Sequence, residues 1–466
     1  MSALPLLAAL VVCQAEPARV KANGYLSERV SLSAGWAQDD PHAPGLAQLV
    51  GLPLASSLTE ANAQVRLLFA DGYDLYADLS LFVGAQSDPG GLLPAGPSTS
   101  ARIEPSEAYL NLGFSEHLNG LVGRKRLTWG SGFALNPSDL LNPRKDPTDP
   151  TAQRSGAWMA RLEAPFQSFT LTALWAPKVT RTSLGLPTRF LFEPGGREAE
   201  QLFAARAYAL VADSDVNLMW SWSNRYADSL PHSHRFAASF SRYFFGDYEL
   251  HVEATLQRGR DTPIVDRACL PSGFSFQPLE DCQAAGRPLM APSGLSDPRA
   301  FYVRAVVGTR TTFKDESMLS VEYYFNGTGL DAAQFEDRNR LFDLLPPLWE
   351  LAQQRGIEID PAQALGTGGT TGSDGAPQRF DFTTVRRHYL LLVYQKPRIA
   401  DDFTASLTTI IGLEGPSALF APSLSWSARE WLTLGLWAFL PVGSDSSEYG
   451  SLPLRFRALL EVRAFY

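Results

Sequence analysis

The chain has 466 residues, of which 45% are hydrophobic, 11% aromatic and 19% charged. Beyond the first fifteen residues, no segment has the roughly 18 consecutive apolar residues that a membrane-spanning helix requires, so the hydrophobic residues either fill a core or alternate along strands. The formal net charge of -9 argues against nucleic acid as a partner, because phosphate binding needs clustered lysine and arginine.

The amino-terminal segment resembles a secretory signal. An apolar stretch runs from Leu4 to Val12, and Ala15 offers a small residue at the cleavage position. The prediction is a signal peptide over residues 1–15. A lipid anchor on Cys13 is the weaker alternative, because Val12 stands where a glycine, alanine or serine is expected.

The clearest strand pattern lies between Asn62 and Val83. In its first half, apolar residues alternate with polar ones: Ala63, Val65, Leu67 and Phe69 against Asn62, Gln64 and Arg66. Asp71-Gly72 then gives a strong two-residue hairpin signal. The returning half alternates in the same way, so one face of this hairpin suits lipid and the other suits water.

The same alternation recurs along the chain in about eighteen segments. The fold class predicted is therefore all-β: a transmembrane antiparallel up-and-down β-barrel of about eighteen strands, formed as a single domain by residues 16–466. A soluble β-sandwich does not explain the connections, which alternate between short and long. The long connections lie near 37–60, 84–104, 130–156, 177–203, 259–299 and 327–386. This rhythm predicts short periplasmic turns, long outer loops and both termini in the periplasm.

The loop near 130–156 carries the densest set of motifs. Asn-Pro steps hold the backbone in extended or turn geometry, so the loop is expected to be ordered. One interpretation is a constriction that folds into the pore; the other is a rigid outer loop held by its own Arg–Asp pairs. The constriction candidates are Trp129, Asn136, Asp139, Asn142, Arg144, Lys145, Asp146 and Asp149.

The stretch from Gly123 to Pro150 also carries a resemblance. Gly-Arg-Lys-Arg, Trp-Gly-Ser-Gly, Asn-Pro-Ser-Asp and Asn-Pro-Arg-Lys-Asp-Pro follow one another, which is similar to a stretch in porin-like outer-membrane barrels. These include the eighteen-stranded barrels proposed for exopolysaccharide export in myxobacteria. The resemblance covers about 28 residues and implies a conduit for a polysaccharide, with a periplasmic export component as a partner.

One pair of cysteines and one pair of histidines lie close together in the sequence. Cys269 and Cys282 lie in a Pro- and Gly-rich stretch of an exported chain, which favours one disulfide over two free thiols. His232 and His234 form a His-x-His pair in a predicted outer loop, where a solvated turn is favoured over a metal site. No metal site and no cofactor are predicted.

The connection near 327–386 has a helical spacing of apolar residues from Asp331 to Gly356, interrupted by Pro346-Pro347. A helix here could fold into the mouth as a plug or lid, or cover the surface without a gating role. The segment from Gly366 to Gly375 reads as a flexible tract.

The end of the sequence resembles the closing strand of bacterial outer-membrane barrels, which the assembly machinery reads. The residues that carry this interpretation are Phe456, Leu460, Val462 and Tyr466. It predicts two partners, the outer-membrane lipid bilayer and the outer-membrane assembly machinery.

The alternation also predicts which charged side chains line the pore. They are Arg29, Arg66, Asp74, Asp78, Arg124, Arg126, Arg161, Glu163, Arg206, Arg235, Glu249, Glu253, Arg304, Glu322, Arg455, Arg457, Glu461 and Arg463. A mixed wall that leans towards arginine suits hydrated solutes, anionic ones included.

The function expected first is a passive outer-membrane channel that exports a polysaccharide. One alternative is a general diffusion porin for small hydrophilic solutes. Another is a surface adhesin, or an anchor barrel for a cell-envelope machine. Enzyme motifs are absent from the sequence: there is no Gly-x-Ser-x-Gly elbow, phosphate-binding glycine loop or His-Glu-x-x-His, so the chain is not expected to be an enzyme.

Overall fold

The structure is a computed structural model. It describes residues 19–35, 54–70, 73–87, 97–127, 129–133, 135–141, 156–177, 180–181, 187–189, 201–226, 230–260, 262, 264–270, 277–285, 290–291, 300–354, 384–452 and 454–466. The predicted signal peptide over 1–15 and the Asp71-Gly72 turn lie outside these residues.

Eighteen strands form one antiparallel sheet. In chain order they are β1 Arg19–Gly35, β2 Ala55–Ala70, β3 Tyr73–Gln86, β4 Ser98–Ser115, β5 Leu118–Lys125, β6 Ala157–Pro165, β7 Phe169–Pro177, β8 Gln201–Val211, β9 Ser214–Tyr226, β10 Leu230–Phe244, β11 Tyr248–Arg258, β12 Phe301–Thr312, β13 Met318–Asn326, β14 His388–Ile399, β15 Phe403–Gly412, β16 Ser417–Arg429, β17 Leu432–Gly443 and β18 Leu454–Phe465.

Each strand pairs with the next one along the chain, and β18 pairs with β1. At this seam Tyr25 lies opposite Phe465, and Arg29 lies opposite Glu461. The sheet therefore closes on itself without a free edge. The predicted all-β, up-and-down barrel of about eighteen strands is confirmed.

Alternating burial separates the two faces of each strand. In β11, Glu249, His251 and Glu253 are buried, whereas Leu250 and Leu256 are 37% and 38% exposed. The exposed face is apolar around the barrel: Leu26, Val30, Leu79, Leu162, Leu218, Val307 and Leu436 all lie on it. Exposed apolar side chains outside and polar ones inside are the arrangement of a barrel that faces lipid.

Exposed aromatic side chains gather near both ends of the strands. At the end with the short turns they include Phe114, Phe166, Phe169, Tyr248, Phe313 and Trp431. At the opposite end they include Phe203, Phe301 and Tyr323. Aromatic girdles of this kind flank the apolar band of membrane barrels, because their rings suit the boundary between lipid and water.

The two ends of the barrel differ in their connections. We call them the short-turn end and the long-loop end. The described connections at the long-loop end contain a short 3₁₀ helix, two helices and two small ribbons: Arg267–Cys269, α1 Gln277–Ala284, α2 Ala332–Gln354, Thr180–Arg181 with Pro187–Arg189, and Ile264–Val265 with Met290–Ala291. Among the described residues, no helix is both long and apolar enough to cross a membrane.

Two local predictions were wrong. His232 and His234 lie within β10 rather than in a loop, because Tyr226 ends β9 and Leu230 already begins β10. Pro346 and Pro347 do not interrupt α2 but lie inside it. Each proline removes a backbone hydrogen bond; burial of Phe335, Leu341 and Phe342 on one side of the helix offsets that loss.

Candidate functional site: the barrel lumen

The connection after β5 folds into the barrel. Trp129 is 2% exposed and Leu140 is 5% exposed. Both pack on the inner wall nearby, in a cluster with Leu121, Met159, Leu174, Ala176, Ala204, Met219 and Ala237 from β5 to β10. The described residues from Trp129 to Leu141, called the inner segment below, are therefore anchored on the side where they originate.

The inner segment also reaches β11, six strands further round the eighteen-stranded sheet. Glu253 accepts hydrogen bonds from the backbone N–H groups of Ser131 and Gly132 and from the Ser138 hydroxyl, the last at 2.9 Å. Thr255 donates its hydroxyl to the carbonyl of Pro137 at 2.8 Å. These contacts join the segment to a second, distant part of the wall.

A third anchor lies on β13, eight strands from β5. Glu322 Oε1 accepts the N–H of Phe133 at 2.6 Å and lies 2.9 Å from His251 Nε2. Gly308 makes room for this pair, because a Cβ there would collide with His251. With contacts on β5, β11 and β13, the segment spans nearly half the sheet and crosses the lumen.

From β12 to β16 the inner face carries an apolar cluster, which the prediction of a polar lining missed. The cluster consists of Val306, Tyr324, Tyr389, Leu391, Ile410 and Leu419 from β12 to β16, joined by Tyr449 and Leu452 from the connection before β18. Leu135 of the inner segment packs against it. The sequence gives one signal in retrospect: β14 contains the run Tyr389-Leu-Leu-Leu-Val, which is apolar on both faces.

At the long-loop end, α2 is tied to the connection before β18. Asn339 donates to the carbonyl of Ser446 at 3.2 Å. The Arg338 guanidinium carbon lies 4.6 Å from the centroid of the Phe342 ring, and burial lowers the pKa of Arg338 to about 10. The described part of α2 therefore lies beside the connection that contributes Tyr449 and Leu452 to the apolar cluster.

Glu448 is the central acid of that contact. Its carboxylate accepts hydrogen bonds from Tyr389 at 2.7 and 2.9 Å and from the N–H of Val385 at 2.8 Å. Burial raises the pKa of Glu448 to about 7, although those hydrogen bonds and the charges of Arg338 and Arg386 act in the opposite direction.

Across the seam, charged side chains form a separate inner network. Arg29 lies 3.2 Å from Glu60 on β2 and 3.3 Å from Glu461 on β18. Arg463 contacts Glu461 at 2.7 Å, and Tyr25 donates to Glu60 at 2.7 Å. The barrel is therefore cross-linked from inside at the point where it closes.

Outside the apolar cluster that the inner segment covers, the wall between β2 and β9 carries charged side chains. Arg66 pairs with Asp74 at 2.9 Å, and Arg161 pairs with Glu163 at 3.5 Å. The Lys125 ammonium lies 3.9 Å from the centroid of the Tyr109 ring. Positive groups over tyrosine rings, alternating with carboxylates, give this part of the wall both charges and aromatic surfaces.

The residues predicted to line the pore differ in exposure. The buried ones are Arg29, Asp74, Asp78, Arg124, Glu249, Glu253, Arg304, Glu322 and Glu461. The partly buried ones are Arg126, Arg161, Glu163, Arg206, Arg235, Arg457 and Arg463, and the exposed ones are Arg66 and Arg455. The structure thus brings Arg29 together with Glu461, but it separates Glu253 and Glu322 from solvent by the inner segment.

The other predicted sets are partly described. Of the constriction candidates, Trp129, Asn136 and Asp139 belong to the inner segment, while Asn142, Arg144, Lys145, Asp146 and Asp149 lie outside the described residues. Phe456, Leu460, Val462 and Tyr466 are exposed on the outer surface of β18 and just after it. Cys269 and Cys282 form a disulfide. Within the described ranges, no group of three or more His, Cys, Asp or Glu side chains could hold a metal ion.

Comparison with known proteins places the fold. No protein-family model matches the chain, and no curated protein matches it. Among solved structures, Acinetobacter baumannii OccAB1 is 9% identical, with 96% of each chain covered and a TM-score of 0.50. Pseudomonas aeruginosa OccK9 (OpdG) is 12% identical, with 97% of this chain and 99% of that chain covered and a TM-score of 0.49.

The fold that these observations define is a closed, eighteen-stranded antiparallel β-barrel, and it is similar to the fold of OccAB1. The likeness to OccAB1 extends over almost the whole of both chains; at such low identity it concerns the fold. It lends no support to polysaccharide as the cargo.

Proposed function

We propose that the protein is a passive outer-membrane channel for small hydrophilic solutes. The observation that carries the proposal is the inner segment, which crosses the lumen of a closed barrel and is held on β5, β11 and β13. A closed barrel with a partly polar wall offers a path for water and solutes, and a segment across its lumen narrows that path.

Small solutes are favoured over a polymer for a physical reason. Among the described residues, the inner segment crosses the lumen, and Tyr449 and Leu452 of the connection before β18 pack on its inner wall. A polysaccharide would have to pass both without displacing them. Small solutes need only the remaining polar wall between β2 and β9, where charged groups and tyrosine rings are available for transient contacts.

The location belongs to the same proposal. The apolar outer surface and the aromatic girdles suit an outer membrane, with the short turns and both termini in the periplasm and the long loops outside. Export would use the signal peptide at 1–15. Phe456, Leu460, Val462 and Tyr466 would present the assembly signal, since all four are exposed on the lipid side.

The experiment is reconstitution of the purified protein. In planar bilayers we expect stepwise ionic currents, and in liposome swelling we expect entry of monosaccharides with exclusion of dextrans trapped as a polymer probe. Protein-free liposomes are the control. Absence of both currents and swelling would overturn the channel, whereas passage of dextran would return the polysaccharide conduit to first place.

A further inference from the structure

The inner segment forms a pocket of hydrogen-bond donors around one carboxylate. The N–H groups of Ser131 and Gly132 both point at Glu253 Oε1, the second at 2.5 Å. The N–H and the hydroxyl of Ser138 point at Glu253 Oε2, at 3.3 and 2.9 Å. Convergent backbone N–H groups of this kind make an anion site, and bonds to an ionised acceptor are about twice as strong as neutral ones.

The local sequence explains why the donors converge. Gly130 has a φ of +98°, and a Cβ at this position would collide with Ser138, Asn136 and Glu253. Asn136 donates to the carbonyl of Trp129 at 2.5 Å and accepts the Ser138 hydroxyl at 3.0 Å. The glycine and the Asn-Pro-Ser turn therefore bring Ser131 and Gly132 on one side, and Ser138 on the other, around the carboxylate of Glu253.

The buried carboxylate of Glu253 is stabilised by the inner segment and not by its neighbours in the sheet. Its directly opposite cross-strand neighbours are Ser239 and Val306, and within the described residues no salt bridge reaches it. It is fully buried, and burial of a carboxylate is costly unless hydrogen bonds satisfy it. The donors of the inner segment meet that requirement, and in return the carboxylate fixes the segment far from β5.

We propose that residues 130–133 and 135–138 are a carboxylate-binding site whose resident ligand is Glu253, and that this internal ligand holds the constriction in place. The inference rests on the proposed channel function. It follows that a small free carboxylate fits the same donors when the side chain of Glu253 is removed. Glu322 is a second, weaker anchor, because it shares its carboxylate between Phe133 and His251.

The test uses Glu253→Ala in the full-length chain, with acetate as the probe. Hydrogen exchange of the peptide containing Ser131 to Leu135 should accelerate on the order of tenfold or more, since its hydrogen bonds to a charged acceptor are lost. Acetate at constant ionic strength should restore the protection with a saturable dose response, and chloride should not. In bilayers the mean conductance should rise and fall back with acetate.

The matched control is Glu163→Ala, which removes a lumen carboxylate that pairs with Arg161 and does not touch the inner segment. It should acquire no acetate response in hydrogen exchange. If the alanine variant does not fold, Glu253→Gln, which keeps the shape of the side chain, takes its place. This variant should show faster exchange of the same peptide. Acetate should not restore the protection, because the amide still occupies the site.

Unchanged exchange in both Glu253 variants would overturn the inference, and so would rescue by chloride equal to that by acetate. Neither result touches the proposed function, which depends on conductance of the wild-type protein. A wild-type barrel that carries no current would overturn the channel, while the exchange experiment would still decide the carboxylate site.

Discussion

Arg29 joins three strands through one side chain. It contacts Glu60 on β2 and Glu461 on β18 from its own position on β1, and all three side chains are at most 8% exposed. The alternation in the sequence predicts that Arg29 and Glu461 face the lumen. It cannot predict that they meet, because strands distant in the chain become neighbours only when the barrel closes.

Arg29→Ala should destabilise the barrel by about 3 kcal/mol, because it leaves the buried carboxylate of Glu60 without its cation, while Glu461 keeps Arg463. The measurement is the urea midpoint in detergent or lipid. Arg66→Ala is the control: its pair with Asp74 is half exposed on the arginine side, so the expected cost is about 0–1 kcal/mol. Equal effects of the two substitutions would contradict this ranking.

The buried carboxyl of Glu448 should make the packing at the long-loop end depend on pH. Its pKa is raised from 4.5 to about 7, so its contribution to the packing is fully present below 4.5 and is lost as pH rises through 7. The facing groups are Tyr389, Arg338, Arg386 and the N–H of Val385.

We therefore expect faster proteolysis of α2 at pH 8 than at pH 5, with a protease whose own activity is corrected for pH. Glu448→Gln should flatten the difference, since an amide does not titrate. A pH dependence that survives in this variant would assign the effect to other groups.

Among the elements, α2 shows what local pattern does and does not predict. The apolar spacing between Asp331 and Gly356 predicts a helix, and the structure has one at Ala332–Gln354. The tandem prolines suggested a break, because local rules do not include the burial that compensates for them. Which face packs, and against what, depends on Ser446 and Arg386, which lie outside the helix and which no local pattern brings to it.

Replacement of residues 332–354 by a short Gly-Ser linker should raise channel conductance. The helix contacts the connection before β18 at the long-loop end, so we expect its removal to widen the approach to the lumen there. Mean single-channel conductance is the measurement. An unchanged value with an intact barrel would favour the alternative in which the helix only caps the surface.

At the scale of the whole molecule, the two faces of the sheet were predictable and the filling of the lumen was not. Leu79 and Asp78 lie on opposite faces, as a period of two residues requires. The contact between Glu253 and Ser138 joins residues 115 positions apart. The sequence indicates this contact only indirectly, through an acidic residue in the middle of a strand with no cation beside it and through glycines in a loop.

The apolar outer surface predicts a depth-dependent cost of charge. Leu218 lies midway along the lipid-facing side of β9 and is 60% exposed, so Leu218→Arg should destabilise the membrane-inserted barrel by about 2–4 kcal/mol. Val211 ends β8 and is 57% exposed; Val211→Arg should cost about 0–1 kcal/mol. Unfolding titrations in lipid vesicles measure both, and equal costs would argue against a bilayer around this surface.

The seam between β1 and β18 has a consequence for biogenesis. Arg29 and Glu461 are 432 positions apart, so β1 waits for its second neighbour until nearly all of the chain has been synthesised. Until then two strand edges remain unpaired, and each is a template for aggregation with other chains. Pairing across so large a separation is also intrinsically slow. Cells that make this protein must therefore shield the nascent chain from aggregation during transit. That protection can end when β1 pairs with β18 and the barrel closes.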